Sequence, residues 1–216
     1  MGTGSAYERE LLHVLAGSAD GVDAVTRSCT PEERVRMRSI IEAPFLVVRA
    51  PGSGTEGTGD LLVLRGDAAF PIEVKCSKDR KLYLSGRTLD QHDALVATGE
   101  RTGLMPLYAY RLKGTRGDSW RIFRVKTSHV SGHMERLVAH VPLLPLTARG
   151  RPHLDWDQGL PLNRFVHLLS TFAARKPSTI ILPIPRLPPV TSATLPFRSN
   201  CIEIPQSDAH PSTGSG

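Results

Sequence analysis

Short apolar runs separated by glycine-rich turns fill the middle of the chain and constrain its fold more than any other feature. Runs of this length, rich in branched aliphatic residues and bounded by turn residues, are typical of β-strands. We expect strands at residues 45–49, 60–64, 70–74, 82–84, 107–112 and 120–125. Apolar residues at helical spacing predict helices at residues 5–17, 30–42 and 88–102. Because helices stand before and among the strands, the sequence predicts an α/β fold with a central mixed β-sheet flanked by helices.

Two of the predicted helices carry recognisable signals at their ends. In the helix at 30–42, Thr30 stands at the N-cap position and Pro31 fits the first turn. Glu33 follows Thr30 at the spacing of a capping box. The other helix opens with Thr88 and closes at Gly103, a residue that favours helix termination. These signals fix the predicted helix ends independently of the apolar pattern.

The periodicity of apolar residues is less regular beyond the strand expected at 120–125. Residues 138–146 are predicted as a strand and residues 162–174 as a helix. The last forty residues hold eight of the seventeen prolines, which interrupt helices and remove hydrogen-bond donors from strands. We therefore expect a folded domain at residues 1–176 and a Pro-rich, disordered tail at residues 177–216. Basic and acidic residues cancel in the tail, so the charge surplus lies in the domain.

The overall charge points to a polyanionic partner. The formal net charge is +6 and the pI is about 9.5, which suits nucleic acid or an anionic membrane. No apolar run approaches the roughly 20 residues that span a bilayer, and the N-terminus lacks the pattern of a secretory signal. The three cysteines are far apart, which favours reduced thiols over a disulfide framework or a zinc site. We expect a cytoplasmic protein with no membrane partner.

The most informative strand alternates apolar and charged residues. Phe70, Ile72 and Val74 point to one face of an extended chain, towards a core. Glu73 and Lys75 then share the opposite face. Taken alone, a carboxylate and an ammonium at this spacing are more often an ordinary polar strand face than a site.

The preceding strand changes that balance. Asp60 begins the run DLLVL after a glycine-rich loop, and a tight turn would make the two strands a hairpin. The start of the first strand would then lie near the end of the second, with Asp60 close to Glu73 and Lys75. Two converging carboxylates repel each other unless a cation joins them. A hard divalent cation such as Mg²⁺ takes oxygen ligands, and it can activate a water and stabilise charge on a phosphate.

A third carboxylate belongs to the first predicted helix. Glu8, Leu12 and Leu15 are spaced so that they share one face. A carboxylate on an apolar stripe requires a partner. The alternative is that Glu8 begins the helix and merely complements its dipole.

Five segments in one consistent order resemble a known family. They are AYERELLHVL, VVRAPGSG, GDLLVL, FPIEVK and LYLS. Together they resemble the archaeal-type Holliday junction resolvases, which also occur in some phages and have a restriction-endonuclease-like core with a D…(E/D)xK signature. The resemblance covers roughly residues 5–126. About two dozen residues at 18–44, which include a predicted helix, stand where the family usually has a short turn.

The resemblance implies a role for each matching residue. The implied metal ligands are Glu8, Asp60, Glu73 and the backbone carbonyl of Val74. Lys75 matches the catalytic lysine, and Ser53 matches a loop residue that helps to position the scissile phosphate. Arg9 and Arg49 match basic residues that contact DNA or support the site.

Residues close to the E-x-K strand add further candidates. Lys78, Arg80 and Lys81 form a basic cluster directly after it, which is either a solvated turn or a set of phosphate contacts. Gln91 lies in the following helix, where nucleases of this fold sometimes place a supporting polar residue. A plain surface glutamine is the alternative.

The function implied by the resemblance is structure-specific cleavage of DNA. We expect an endonuclease that resolves four-way junctions with Mg²⁺, or Mn²⁺ as a substitute, and without a small-molecule cofactor. Paired symmetric nicks would come from a homodimer bound to branched DNA, in a protein that is nucleoid-associated and either host- or virus-encoded. One alternative is a restriction or repair endonuclease for linear or damaged duplex. Another is a non-catalytic protein of the same fold that binds DNA structures.

Overall fold

The computed structural model describes residues 4–50, 57–66 and 68–174. All of these residues belong to one compact unit, Met1–Pro177. The Pro-rich segment from residue 177 onwards lies outside the described residues, so its predicted disorder and the boundary after residue 176 stay predictions.

Helices and short strands alternate along the described chain. The α-helices are α1 (Gly4–Leu15), α2 (Ala19–Thr26), α3 (Pro31–Glu42), α4 (Arg87–Thr102), α5 (Glu135–Val138) and α6 (Leu162–Ala174). The strands are β1 (Leu46–Arg49), β2 (Leu61–Arg65), β3 (Ala68–Ser77), β4 (Lys81–Tyr83), β5 (Leu107–Leu112), β6 (Trp120–Arg124), β7 (His153–Asp155) and β8 (Leu160–Pro161).

The strands form one large sheet and one small one. The six-stranded sheet has the order β1-β2-β3-β5-β6-β8, and β4 pairs with β7 in a separate ribbon. Strands β3 and β5 are parallel, whereas the other neighbours in the large sheet are antiparallel. A parallel pair requires a crossover connection, and α4 lies in this one. The predicted α/β fold with a central mixed sheet flanked by helices is confirmed.

Local sequence signals explain the ends of two helices. The Thr30 hydroxyl accepts a hydrogen bond from the Glu33 N–H at 3.3 Å, and the Glu33 carboxylate accepts from the Thr30 N–H at 2.9 Å. The predicted capping box therefore starts α3. Helix α4 begins one residue earlier than expected, after Gly86, and ends as predicted at Gly103 in the left-handed conformation.

Apolar side chains cover both faces of the large sheet. Phe70 and Ile72 pack in a cluster with apolar residues of the helices on one side. Tyr108 and Phe123 belong to a second cluster on the other side, which includes Leu95 of α4. The face of β3 that carries its charged residues is therefore largely covered, not open to water as in a one-sided sheet.

The region after β6 differs from the sequence prediction. The strand expected at 138–146 is wrong, because the segment continues from α5 and makes only a single bridge to the sheet at Leu143. Pro142 and Pro145 have no N–H to donate, which prevents a regular ladder there. The helix expected at 162–174 is confirmed as α6.

Candidate active site

Asp60 lies where the β2–β3 hairpin opens. Its N–H donates to the Ile72 carbonyl at 2.9 Å, and its own carbonyl accepts from the Ala50 N–H at 2.9 Å. These bonds hold Asp60 between β1 and β3 at the mouth of the hairpin. The side-chain Oδ2 accepts a hydrogen bond from the Val74 N–H at 2.7 Å. The carboxylate is thus fixed beside the residues that flank Val74, as the hairpin predicts.

Two glycines allow the chain to enter β2 at this angle. Gly59 has a φ of +70°, and a Cβ there would approach the Ile72 carbonyl oxygen at 2.6 Å. Gly57 has a φ of +81°, and a Cβ there would approach the Ala94 carbonyl oxygen of α4 at 2.6 Å. A residue with a side chain would therefore push this segment away from both β3 and α4.

Glu73 and Lys75 form the second part of the site. Only 4% of Glu73 is exposed, and its Oε1 accepts from the Lys75 Nζ at 2.6 Å. The same Nζ donates to Gln91 Oε1 of α4 at 2.9 Å. This contact is consistent with the prediction that Gln91 supports the site, because its side-chain amide on α4 accepts a hydrogen bond from Lys75.

Glu8 of α1 reaches the same region through Arg49. The Arg49 guanidinium at the end of β1 donates to Glu8 Oε2 from Nε at 2.9 Å and from Nη2 at 2.7 Å. Arg49 thus supports a carboxylate on the apolar stripe of α1, which supplies the partner that the sequence requires. The neighbouring Arg9 is exposed.

Burial and like charge act together on Asp60. Burial, followed by the charge of Glu73 and then that of Glu8, raises the pKa of this carboxyl to about 6, although the Val74 N–H and Lys75 act in the opposite direction. A shift in this direction means that the site disfavours an ionised Asp60, first because burial removes water from the carboxylate and second because Glu73 repels it.

This pKa predicts how stability depends on pH in the metal-free protein. An unfolded aspartate ionises near pH 3.8 and folded Asp60 near 6, so native stability should fall as the pH rises between these values. Asp60→Asn removes the penalty and keeps an acceptor for Val74. With EDTA, urea unfolding should find the variant about 2 kcal/mol more stable than wild type at pH 7.5 and nearly equal near pH 4. The same difference at both pH values would contradict the assigned cause.

Tyr108 is a neighbour of the site that the sequence analysis missed. The parallel register of β3 and β5 places it opposite Glu73. Burial, followed by the charge of Glu73, raises the pKa of its phenol. The ring is fully buried and its hydroxyl has no hydrogen-bond partner in the described part of the chain. A tyrosine within the apolar run at 107–112 was the available signal, but only the strand pairing shows which residue it faces.

The lone hydroxyl predicts an unusual effect of substitution. Tyr108→Phe removes a buried polar atom that gains no hydrogen bond, so we expect the free energy of unfolding to rise by about 1 kcal/mol. Tyr110→Phe is the matched control on the same strand. Its hydroxyl donates to the Asp79 carbonyl at 2.6 Å, and its loss should lower stability by about 1 kcal/mol. Thermal melts that shift both variants in the same direction would refute this account.

Two of the three candidate carboxylates, those of Asp60 and Glu73, are placed to bind a hard cation. Within residues 4–50, 57–66 and 68–174, no three His, Cys, Asp or Glu side chains are close enough together to hold a metal ion. Asp60 and Glu73 nevertheless offer carboxylate oxygens, and the charge of Glu73 contributes to the raised pKa of Asp60. Mg²⁺ typically binds one or two protein carboxylates and keeps several waters, so the pair fits it. Glu8 would have to exchange its contact with Arg49 to join them.

The predicted DNA-binding cluster is divided in the structure. Arg80 donates to Asp157 in a two-pronged contact, with Nε to Oδ2 at 2.7 Å. Lys81 forms an ion pair with Asp155 at 3.3 Å. Lys78 is exposed, and no ion pair is found for it in the described segments. Ser53 lies outside the described residues, so its role stays a prediction.

The fold and the cluster of Asp60, Glu73 and Lys75 define an α/β protein with an acidic site of the nuclease type. The model of the archaeal Holliday junction resolvase (Hjc) family matches residues 24–137, so the chain belongs to that family. This membership implies a junction-resolving nuclease. The matched segment contains the β2–β3 site and Gln91 but begins after Glu8, whose assignment therefore depends on its position in the structure.

The comparison with solved structures gives a further similarity. The structure of Hjc from Archaeoglobus fulgidus, a Holliday junction resolvase from an archaeal hyperthermophile, is similar with a TM-score of 0.46 and 21% identity. The similarity covers 76% of this chain and 96% of the Archaeoglobus chain. No curated protein matches the sequence.

Among the described helices, none combines the length and apolar content needed to cross a membrane.

Proposed function

We propose that this protein resolves four-way DNA junctions by metal-dependent hydrolysis of phosphodiester bonds. The observation that carries the proposal is the contact of Asp60 with the backbone between Glu73 and Lys75, within the segment that matches the resolvase family. The surplus of basic residues in a chain of net charge +6 favours a phosphate-rich partner. As a protein that acts on cellular or viral DNA, it would work in the cytoplasm near the nucleoid.

The acidic residues have distinct tasks in this proposal. Asp60 and Glu73 would hold the metal, together with Glu8 and the carbonyl of Val74. Mg²⁺, or Mn²⁺ in its place, would supply activation of a water and stabilisation of charge on the phosphate. The Val74 N–H already binds Asp60 Oδ2, so this hydrogen bond would orient the carboxylate before a metal binds.

Lys75 is held in place to act on the phosphate. An ammonium group has three N–H donors, and Glu73 and Gln91 accept from the Lys75 Nζ. The third N–H can donate to an oxygen of the scissile phosphate or to the attacking water. Because its neighbours fix the ammonium before substrate binds, little side-chain entropy is lost when the substrate arrives.

Resolution of a junction requires two cuts placed symmetrically. A closed two-fold homodimer would supply two equivalent sites, and its symmetry matches that of a four-way junction. We therefore propose that the active species is a dimer that nicks two opposed strands.

The test is cleavage of a labelled, immobile four-way junction with Mg²⁺, beside the matching linear duplex. Paired symmetric nicks in the junction alone are expected. Equal cutting of both substrates would favour a restriction or repair endonuclease that uses the same site. Tight binding of the junction without cleavage, and no Mg²⁺ or Mn²⁺ binding by calorimetry, would favour a non-catalytic DNA-structure-binding protein.

A further inference from the structure

A cavity of about 420 Å³ opens beside the ribbon formed by β4 and β7. Its wall includes Tyr83 and Ser85 from the end of β4 and Arg149 and Arg151 from a turn before β7. This turn follows residue 137, where the family match ends. The arginine side of the cavity therefore lies outside the segment that matches the family.

Tyr83 presents a flat aromatic surface at the cavity. The residue is 59% exposed, although large aromatic side chains are usually buried. Its ring stacks on His153, its partner across the ribbon, with centroids 5.4 Å apart and an interplanar angle of 24°. His153 is itself buried and so holds the ring from behind. An exposed aromatic ring in a fixed orientation can stack on a nucleobase of any sequence.

The two arginines of the lining, Arg149 and Arg151, belong to a turn that is closed by hydrogen bonds. The Gly150 N–H donates to the Thr147 carbonyl at 2.8 Å, and the Arg151 N–H donates to the Thr147 hydroxyl at 3.1 Å. Arg149 and Arg151 are both exposed, and within the described residues neither forms an ion pair. Guanidinium groups of this kind bind phosphate through paired N–H donors.

The cavity lies close to the proposed catalytic lysine along the chain. Ser85 lines it, helix α4 begins at Arg87, and Gln91 in the second turn of α4 accepts from Lys75. With a rise of 1.5 Å per helical residue, Gln91 lies roughly 6 Å along α4 from Arg87, which follows Ser85 by two residues. A strand that enters the active site can reach the cavity within a few nucleotides.

We propose that this cavity binds one unpaired nucleotide of a DNA strand, with its base stacked on Tyr83 and a phosphate held by Arg149 and Arg151. An aromatic ring and two cations in the lining of one cavity match the two parts of a nucleotide, whereas a paired base within a duplex cannot expose its face. The site would hold a strand that leaves the duplex at a branch point. The role of the cavity at a DNA branch point rests on the proposed function, whereas binding of a single strand to the cavity can be tested without it.

Fluorescence anisotropy with a labelled single strand of ten thymidines, in EDTA, measures the site directly. Tyr83→Ala and the double variant Arg149→Ala/Arg151→Ala should each weaken binding by about fivefold or more. Tyr83→Phe keeps the ring and should bind as wild type does. The double variant Arg101→Ala/Arg164→Ala removes two exposed charges outside the lining of the cavity and should have the smaller effect of the two double variants.

The outcomes separate this site from the active site. If Tyr83→Ala loses affinity for the single strand and wild type fails to cut junctions, the cavity is supported and the proposed function is not. If Tyr83→Ala binds the strand as well as Tyr83→Phe does, the cavity proposal is overturned even in a protein that cuts junctions.

Discussion

Asp60→Asn is expected to abolish cleavage of four-way junctions while junction binding stays close to that of wild type. The substitution removes a charge that would hold the metal, and loss of one electrostatic stabiliser in a catalytic site costs about 10²–10³ in rate. The Asn side chain can still accept the Val74 N–H, so the hairpin should keep its geometry. Binding should survive because contacts of Lys and Arg with phosphates supply most of the affinity.

The measurement is single-turnover cleavage of a labelled junction together with its dissociation constant. Glu73→Gln should behave in the same way as Asp60→Asn. Asp93→Asn is the matched control, since Asp93 is an exposed carboxylate on α4, and it should leave the rate unchanged. Cleavage by Asp60→Asn at the wild-type rate would show that the site is assigned wrongly. Loss of binding in parallel with cleavage would assign Asp60 to substrate binding instead.

Asp118→Ala is expected to destabilise the protein by about 3–5 kcal/mol, the largest effect on stability that we predict. Asp118 is 5% exposed, and its carboxylate accepts three hydrogen bonds. They come from the Trp120 N–H at 3.0 Å, the Asn163 N–H at 2.7 Å and the Asn163 Nδ2 at 2.8 Å. Alanine would leave all three donors buried without an acceptor, and each such donor costs about 1–3 kcal/mol.

The position of Asp118 explains why the loss should be global. Asn163 is the second residue of α6, and its Oδ1 accepts from Arg36 of α3 at 2.7 Å, so the network joins two helices to the start of β6. Urea unfolding monitored by tryptophan fluorescence checks the prediction. Asp23→Ala breaks an exposed ion pair with Arg38 and should cost less than about 1 kcal/mol. A comparable loss in the two variants would rule out the buried network as the cause.

The local sequence was sufficient for features whose partners are close in the chain. The capping box of Thr30 and Glu33 acts across three residues, and the hairpin that carries Asp60 and Glu73 depends on a short connection. Strand periodicity placed Glu73 and Lys75 on one face, because alternate side chains of an extended chain must point the same way. The family resemblance followed from five short segments, among them the two that form this hairpin, and is confirmed.

Contacts between distant residues could not be predicted in this way. Glu8 and Arg49 are 41 residues apart, and Arg80 and Asp157 are 77 apart, so no local pattern relates them. The sequence suggested a basic cluster free to bind DNA, whereas β4–β7 pairing brings acidic residues against part of it.

The sequence by itself determined the sheet-and-helix class, the E-x-K strand and the family. Each depends on residues that are close together in the chain. The covalent chain itself keeps such residues near one another, so their pattern predicts the local structure. Only the tertiary structure decided that Lys75 is held by Gln91, that Tyr108 faces Glu73 and that Tyr83 shares a cavity with two arginines. These depend on which strands and helices pack together, and burial of apolar surface drives that packing without regard to distance along the chain.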